Sequence, residues 1–347
     1  MDEGGFFIDT KGHIRLPWGG DLFSLNQLPH QKINLLGHKL GIRGVRQISR
    51  LLDSLTELHW VNGELDDTMV ELVATSLETN ASLLLLNLAR NEMLVDGLQA
   101  LCTALQSNTT LQELDASSNG ITSPQSLVAV GNMLEANSTL RVLRLGRNGL
   151  GGSGAGEELT EALGANSSLT ELHLEFNQIG FDFIRPLALG LGMNRGLVKL
   201  DLFGNRLDVE CVALLCEAVE RENSALREVD IGGGELDLAS FNLAATKLMG
   251  RLAVVGLAQT GMGPQGGATP IALALEQTAT LVRLDLSQNQ LGEEGVRTIV
   301  RALQGNAIAT VVHLEWNEAD VSQINEHGLS QITSSFWTER HGAECWT

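Results

Sequence analysis

Two segments carry the residue types that hold metal ions or move protons: His173-Leu174-Glu175-Phe176-Asn177 and His313-Leu314-Glu315-Trp316-Asn317. An imidazole and a carboxylate two residues apart on a strand point to the same face, so either segment could contribute to a metal or acid–base site. Each alone supplies too few ligands for an ion, and the two lie five repeats apart, too far to share one. No Ser or Cys nucleophile stands in strand register beside them, which leaves a hydrolytic triad without support. Gly149-Leu150-Gly151-Gly152-Ser153-Gly154 fits GxGxxG, with Glu171 and Glu175 at about the spacing of a ribose contact. No GxxxxGK[ST] phosphate loop occurs. Cys211 and Cys216 are spaced to point in different directions on a helix, which suits core packing. Asn80-Ala81-Ser82, Asn108-Thr109-Thr110, Asn137-Ser138-Thr139 and Asn166-Ser167-Ser168 match the glycosylation sequon. All four stand at one register, where Asn and Ser end a helix and form a turn.

The elements that must position these residues are repeats. Leu83 Leu86 Leu88 Asn91 Met93 is followed by Leu111 Leu114 Ala116 Asn119 Ile121 and by Leu140 Leu143 Leu145 Asn148 Leu150, all in the frame LxxLxLxxNxL. The frame returns at Leu169, Leu197 and Leu281, with weaker copies from Leu55, Leu226, Leu252 and Ala309 and a degenerate one through Ile33, Leu35 and Leu40. These make about eleven units of roughly 28 residues, long enough for a strand, a turn and a returning helix. Asn148 and Leu150 keep their regular places in this frame and the next strand starts on schedule, so the glycine cluster reads as a repeat turn rather than a nucleotide site.

The frame, with return segments such as Val95–Leu105 whose apolar residues 98, 101 and 105 follow the helical period, resembles the leucine-rich repeat family. The resemblance is to the helix-containing subtype found in ribonuclease inhibitor and in the C-terminal repeats of NOD-like receptors, over roughly residues 30 to 320. It implies an α/β fold: a right-handed β-α solenoid, or horseshoe, with parallel strands on the concave face and helices on the convex face. The bend has a physical origin, since strands stack about 4.8 Å apart and helices about 8–10 Å apart. In this family the asparagine after the strand bonds backbone groups of neighbouring turns. The corresponding ladder is Asn91, Asn119, Asn148, Asn177, Asn205, Asn289 and Asn317. His38, Gly63, Gly234 and Thr260 replace it elsewhere, so the ladder should loosen near the start and between residues 230 and 262.

An exposed end repeat would present a raw apolar face and an open strand edge. Residues 1–31 read as an N-terminal cap, with Phe6, Phe7 and Ile8 forming a hairpin against Ile14 and Leu16 ahead of a Pro17-Trp18-Gly19-Gly20 linker. Residues 32–319 hold the repeats. Residues 320–347 read as a cap helix through Val321, Ile324, Leu329, Ile332 and Phe336, with a short tail.

Composition narrows the functional classes. The 23 basic against 42 acidic side chains give a net charge of −19, a field that repels phosphate backbones and anionic headgroups. Nucleic acid is therefore not expected as a partner. Four scattered cysteines form neither a disulfide framework nor a CxxC zinc pair. Nothing in the first thirty residues has the form of a signal or transit peptide, and no apolar run reaches the roughly 20 residues that span a bilayer. A cytoplasmic protein without membrane insertion is the expectation.

The strand positions that face solvent follow from the frame. Between the second and third consensus apolar residues stand His59, Asn87, Asp115, Arg144, His173, Asp201, Asp230, Asp285 and His313, among others; just before the ladder asparagine stand Arg147, Phe176 and Trp316. Exposed aromatics beside Arg and carboxylates have the chemistry of binding hot spots. Arg144, Arg147, His173, Glu175, Phe176, Asp201, Phe203 and Trp316 are accordingly the candidate partner-binding residues. An alternative stays open, in which Arg144 pairs with Asp115 across the sheet and the aromatics cap the ladder. No catalytic residue, cofactor or resident metal is expected. The expected function is a non-enzymatic protein-interaction scaffold that binds by its concave strands or end caps. It would serve as a subunit of a larger hetero-complex, such as a cytoskeletal or axonemal assembly. The competing reading is regulation of an enzyme, as in the Ran GTPase-activating protein, whose acidic C-terminal segment has only a short, mixed counterpart at Glu339–Glu344.

Overall fold

The structure, a computed structural model, describes residues 7–8, 14–15, 32–123, 125–152, 156–221, 225–263, 266–306, 308, 311–319 and 332–333. Its contacts divide the chain into two compact units. The first, Met1–Asp201 with Arg221–Ala225, opens with β1 (Phe7–Ile8), β2 (Ile14–Arg15) and β3 (Lys32–Asn34). It continues through α1 (Gly41–Leu51), β4 (Glu57–His59), α2 (Asp67–Leu77), β5 (Leu85–Asn87), α3 (Val95–Ser107), β6 (Glu113–Asp115) and α4 (Gln125–Ala136). It ends with β7 (Val142–Arg144), α5 (Glu157–Ala165), β8 (Glu171–His173), α6 (Phe181–Met193) and β9 (Lys199–Asp201). The second, Leu202–Glu220 with Leu226–Thr347, contains α7 (Val209–Glu220), β10 (Glu228–Asp230), α8 (Leu238–Leu243) and β11 (Val254–Gly256). After these come α9 (Ala268–Gln277), β12 (Arg283–Asp285), α10 (Gly292–Gln304), β13 (Val311–His313) and β14 (Ile332–Thr333). Each unit is a stretch of β-α solenoid.

From β3 on in the first unit, and within the second, the strands pair parallel, one repeat per step. Leu58, Leu86, Leu114, Leu143, Leu172 and Leu200 stand in register in the first unit, and Val229, Val255, Leu284 and Val312 in the second. All of these side chains are buried. Each covers the next, which is why one repeat cannot hold its fold alone. Cys102, Cys211 and Cys216 lie in this core, where burial pushes each thiol up to about 12.

The expected asparagine ladder is present. The Asn177 Nδ2 donates to Leu145 O (2.9 Å) and Leu174 O (3.0 Å), and its Oδ1 accepts from the amides of Asn148 (3.1 Å) and Leu150 (3.3 Å). One of the positions lacking asparagine is mended by a neighbour: at Gly63 the buried Trp60 indole fills the space a Cβ would need and donates to His38 O at 3.0 Å. Thr260 mends another, its one hydroxyl proton lying within reach of Leu257 O (2.9 Å) and Asn289 Oδ1 (2.7 Å). Irregularity between residues 230 and 262 takes the form of a short α8 running into a π-helical turn at Ala244–Leu248.

A second ladder appears at the C-terminal ends of α3, α4 and α5, on sequon asparagines. Asn108, Asn137 and Asn166 are buried and donate from Nδ2 to Leu77 O, Leu105 O and Leu134 O, each at 2.7 Å, one repeat back. Their Oδ1 atoms accept the amides that start the next turn, as in Leu111 N at 2.8 Å.

At the ends, Phe7 pairs with Arg15 and Ile8 with Ile14 in an antiparallel hairpin. Ile332 lies in β14, parallel to Val312 of β13, where an open strand edge is satisfied by another strand. The rest of 1–31 and of 320–347 lies outside the described residues. Among the described residues no helix is long and apolar enough to cross a membrane.

Candidate functional site

The face of interest is built by β6 to β9. Their buried central leucines fix the register, so the flanking residues form two rows, in which Val142 and Asp201 are buried: Glu113, Val142, Glu171 and Lys199 in one, and Asp115, Arg144, His173 and Asp201 in the other. Asp115 of the second row also serves the backbone: like Asn87 one repeat earlier, and Asp230 and Asp285 within the second unit, it accepts the amide two residues on, at 2.9–3.0 Å, tightening the turn that ends the strand. A hollow of about 230 Å³ lies on the same face, lined by His59, Asn87, Glu113, Asp115 and Arg144.

Arg144 bonds Glu113 at 3.4 Å, diagonally, rather than its register neighbour Asp115. The Asp115 carboxylate is occupied by the Ser117 amide, whereas Glu113 has the reach to meet the guanidinium. The position before the ladder asparagine is left-handed in repeat after repeat, at Arg90, Ser118, Arg147, Phe176, Gln259, Gln288 and Trp316, with φ between 54° and 59°. This conformation costs a non-glycine residue about 1–2 kcal/mol and turns its side chain away from the core. Arg147 and Phe176 therefore project together from successive turns, the guanidinium carbon 4.0 Å from the ring centroid. Trp316 holds the same position in the second unit and is 78% exposed.

Phe203 departs from its expected place. It is 1% exposed, not part of an accessible patch. Gly232 and Gly233 supply the room: a Cβ on either would lie 3.1 and 2.7 Å from the Phe203 ring. Of the eight candidate residues, Arg144, Arg147, His173, Glu175, Phe176 and Asp201 belong to the first unit, and Phe203 and Trp316 to the second.

His173 stands between carboxylates, with Nε2 3.2 Å from Glu171 Oε2 and Nδ1 3.6 Å from Asp201 Oδ2. Glu175 lies along the same surface with its Oε2 buried and lacking a hydrogen-bond partner. Burial, and then the charge of Asp201, raise the Glu175 carboxyl above the usual range, with Asp115 adding to the effect and its own backbone amide and His173 opposing it. Asp201 is the member that the sequence reading did not join to the His173–Glu175 pair. The signal was available, because Asp201 occupies the same repeat position one strand on. The glycine cluster is structural where it is described: the amides of Gly149 and Gly151 donate to Ile121 O (2.8 Å) and Asn177 O (3.0 Å).

A family model described as Leucine Rich repeat matches residues 107–124, 136–157, 165–180 and 279–300. The chain carries leucine-rich repeats. Its helix-bearing repeats are of the ribonuclease-inhibitor-like kind. Among its relatives is the mouse (Mus musculus) protein "NACHT, LRR and PYD domains-containing protein 14", 25% identical over 303 residues, which cover 76% of this chain and 30% of that one. "NACHT, LRR and PYD domains-containing protein 12", also of mouse, is 27% identical over 157 residues, covering 36% and 15%. The leucine-rich repeat chain spans less than a third of the length of these curated relatives. Of solved structures, "Leiomodin-1 Actin-Binding Site 2 (ABS2)" is similar at 22% identity and a TM-score of 0.34, covering 39% of this chain and 78% of that one.

Proposed function

We propose that the chain is a non-enzymatic protein-interaction scaffold that binds a protein partner on the strand face of its first unit. Its cytoplasmic setting, as one subunit of a larger hetero-complex, belongs to the same proposal. The observation that carries the reading is the Arg147–Phe176 stack, an arginine and an aromatic ring held outside the core on strained left-handed turns. Trp, Tyr and Arg dominate binding hot spots, and an exposed Arg–aromatic pair brings a large contact area already ordered. The neighbouring carboxylates and the net charge of −19 favour a partner whose docking surface is basic. Membership of a repeat family built for extended binding surfaces supports the reading at a coarser level.

The experiment is affinity purification from the native source with the wild-type chain and with the double variant Arg147→Asn, Phe176→Asn. Asparagine tolerates the left-handed turn, so the fold is kept while both contacts are removed. A loss of at least about tenfold in the specific partner is expected, with an unchanged thermal midpoint. Equal recovery by the folded variant would remove this face from the account.

A further inference from the structure

We propose that His173, Glu175 and Asp201 form a binding site for one divalent metal ion of the zinc class, through His173 Nδ1 and one carboxylate oxygen from each acid. One donor atom of each residue lies within 4.8 Å of the others. One imidazole nitrogen and two carboxylates match zinc better than calcium or magnesium, which prefer oxygen alone.

Four features of the geometry favour an ion over a chance cluster. The Nδ1–Oδ2 separation of 3.6 Å between His173 and Asp201 is too long for a hydrogen bond. It is close to the roughly 3.3 Å between two ligands of a tetrahedral zinc with bonds of about 2.0–2.1 Å. On its other side the ring meets Glu171 Oε2 at 3.2 Å. A carboxylate only accepts, so Glu171 can hold an Nε2–H and leave Nδ1 on the Asp201 side, the carboxylate–histidine–metal arrangement in which an outer carboxylate orients the ligand. Third, Glu175 Oε2 is shut away from solvent with no hydrogen-bond partner, beside the charges of Asp201 and Asp115. Fourth, a Cβ built on Gly146 would collide with the Glu175 carboxylate, so the glycine one repeat back is what lets that group lie there.

The chain contains its own control. His313 and Glu315 repeat the pair, with Nδ1 and Oε1 3.5 Å apart. The register partner of His313 on the next strand is Thr333, however, where that of His173 is Asp201. Among the described residues the second copy therefore has no third donor. Three protein ligands leave the fourth tetrahedral position to water.

This inference is separate from the partner reading, since zinc binding by the isolated chain needs no partner. The test is isothermal titration of the chelator-stripped full chain with Zn²⁺, repeated with Mg²⁺, for the wild type and for Asp201→Asn, Glu175→Gln, Glu171→Gln and His313→Gln. Expected is one tight zinc per chain that Mg²⁺ does not replace. Asp201→Asn and Glu175→Gln should each weaken it about 100-fold, Glu171→Gln about tenfold, and His313→Gln not at all. Circular dichroism of each apo variant checks that it is folded. The Co²⁺-loaded wild type supplies a readout that needs no variant, with tetrahedral visible bands from mixed nitrogen and oxygen ligation. No saturable zinc binding by the wild type, octahedral cobalt spectra, or affinity lost with His313→Gln but retained in Asp201→Asn would overturn the site.

Discussion

Single residues separate into those the fold needs and those it merely carries. Phe203 and Phe176 make the contrast: one is buried over Gly232 and Gly233, the other projects from a left-handed turn to meet Arg147. Phe203→Ala should lower the unfolding free energy in urea by about 3–5 kcal/mol, because it leaves a cavity in a packed turn. Phe176→Asn should change it by less than about 1 kcal/mol. Equal losses would mean that the two rings are equivalent. The frame placed these phenylalanines one position apart without distinguishing them. What separates them is the pair of glycines in the following repeat, a fact about the neighbour rather than about the residue. Asp201 was hidden in the same way, since the His173–Glu175 pair was read along one strand while the third donor stood beside it on the next.

At the scale of elements, neighbouring repeats are tied by two lines of buried side-chain amides, one after the strand, interrupted at positions such as Gly63 and Thr260, and one at the ends of helices such as α3, α4 and α5. The first was legible from the LxxLxLxxNxL frame. The second was masked by its likeness to a glycosylation sequon, whose middle and last residues serve the turn: in Asn108-Thr109-Thr110, the Asn108 Oδ1 accepts from Thr110 N at 3.0 Å and Leu111 N at 2.8 Å. Asn108→Ala would strand these two amides and remove one of the bonds to each of the Leu77 and Asn80 carbonyls, which keep those from Asn80 N and Thr110 Oγ1, and should cost about 2–3 kcal/mol in urea denaturation. A neutral result would show that water replaces the amide at no cost. The ends of the chain were less legible. Helical spacing at 320–336 competes with the strand edge of β13, and at Ile332–Thr333 parallel pairing prevails over local period.

For the whole molecule, the leucine-rich repeat class could be read from about eleven copies of one frame, because stacking makes the same demand on every unit. The identity of a partner could not, since affinity resides in a few projecting side chains that the frame leaves unconstrained. Net charge acts at this scale too. With 42 acidic against 23 basic side chains, self-repulsion should be relieved by salt, so the thermal midpoint should rise between low and about 0.2 M NaCl. A fall would show that attractive pairs such as Lys32–Glu57, at 2.6 Å, outweigh the repulsion. Hydrogen–deuterium exchange of the chain alone and with its co-purified partner tests the central claim most directly. Added protection concentrated at residues 142–147, 171–176 and 199–201 is the predicted result; protection confined to the helices, with these strands and turns unchanged, would contradict it.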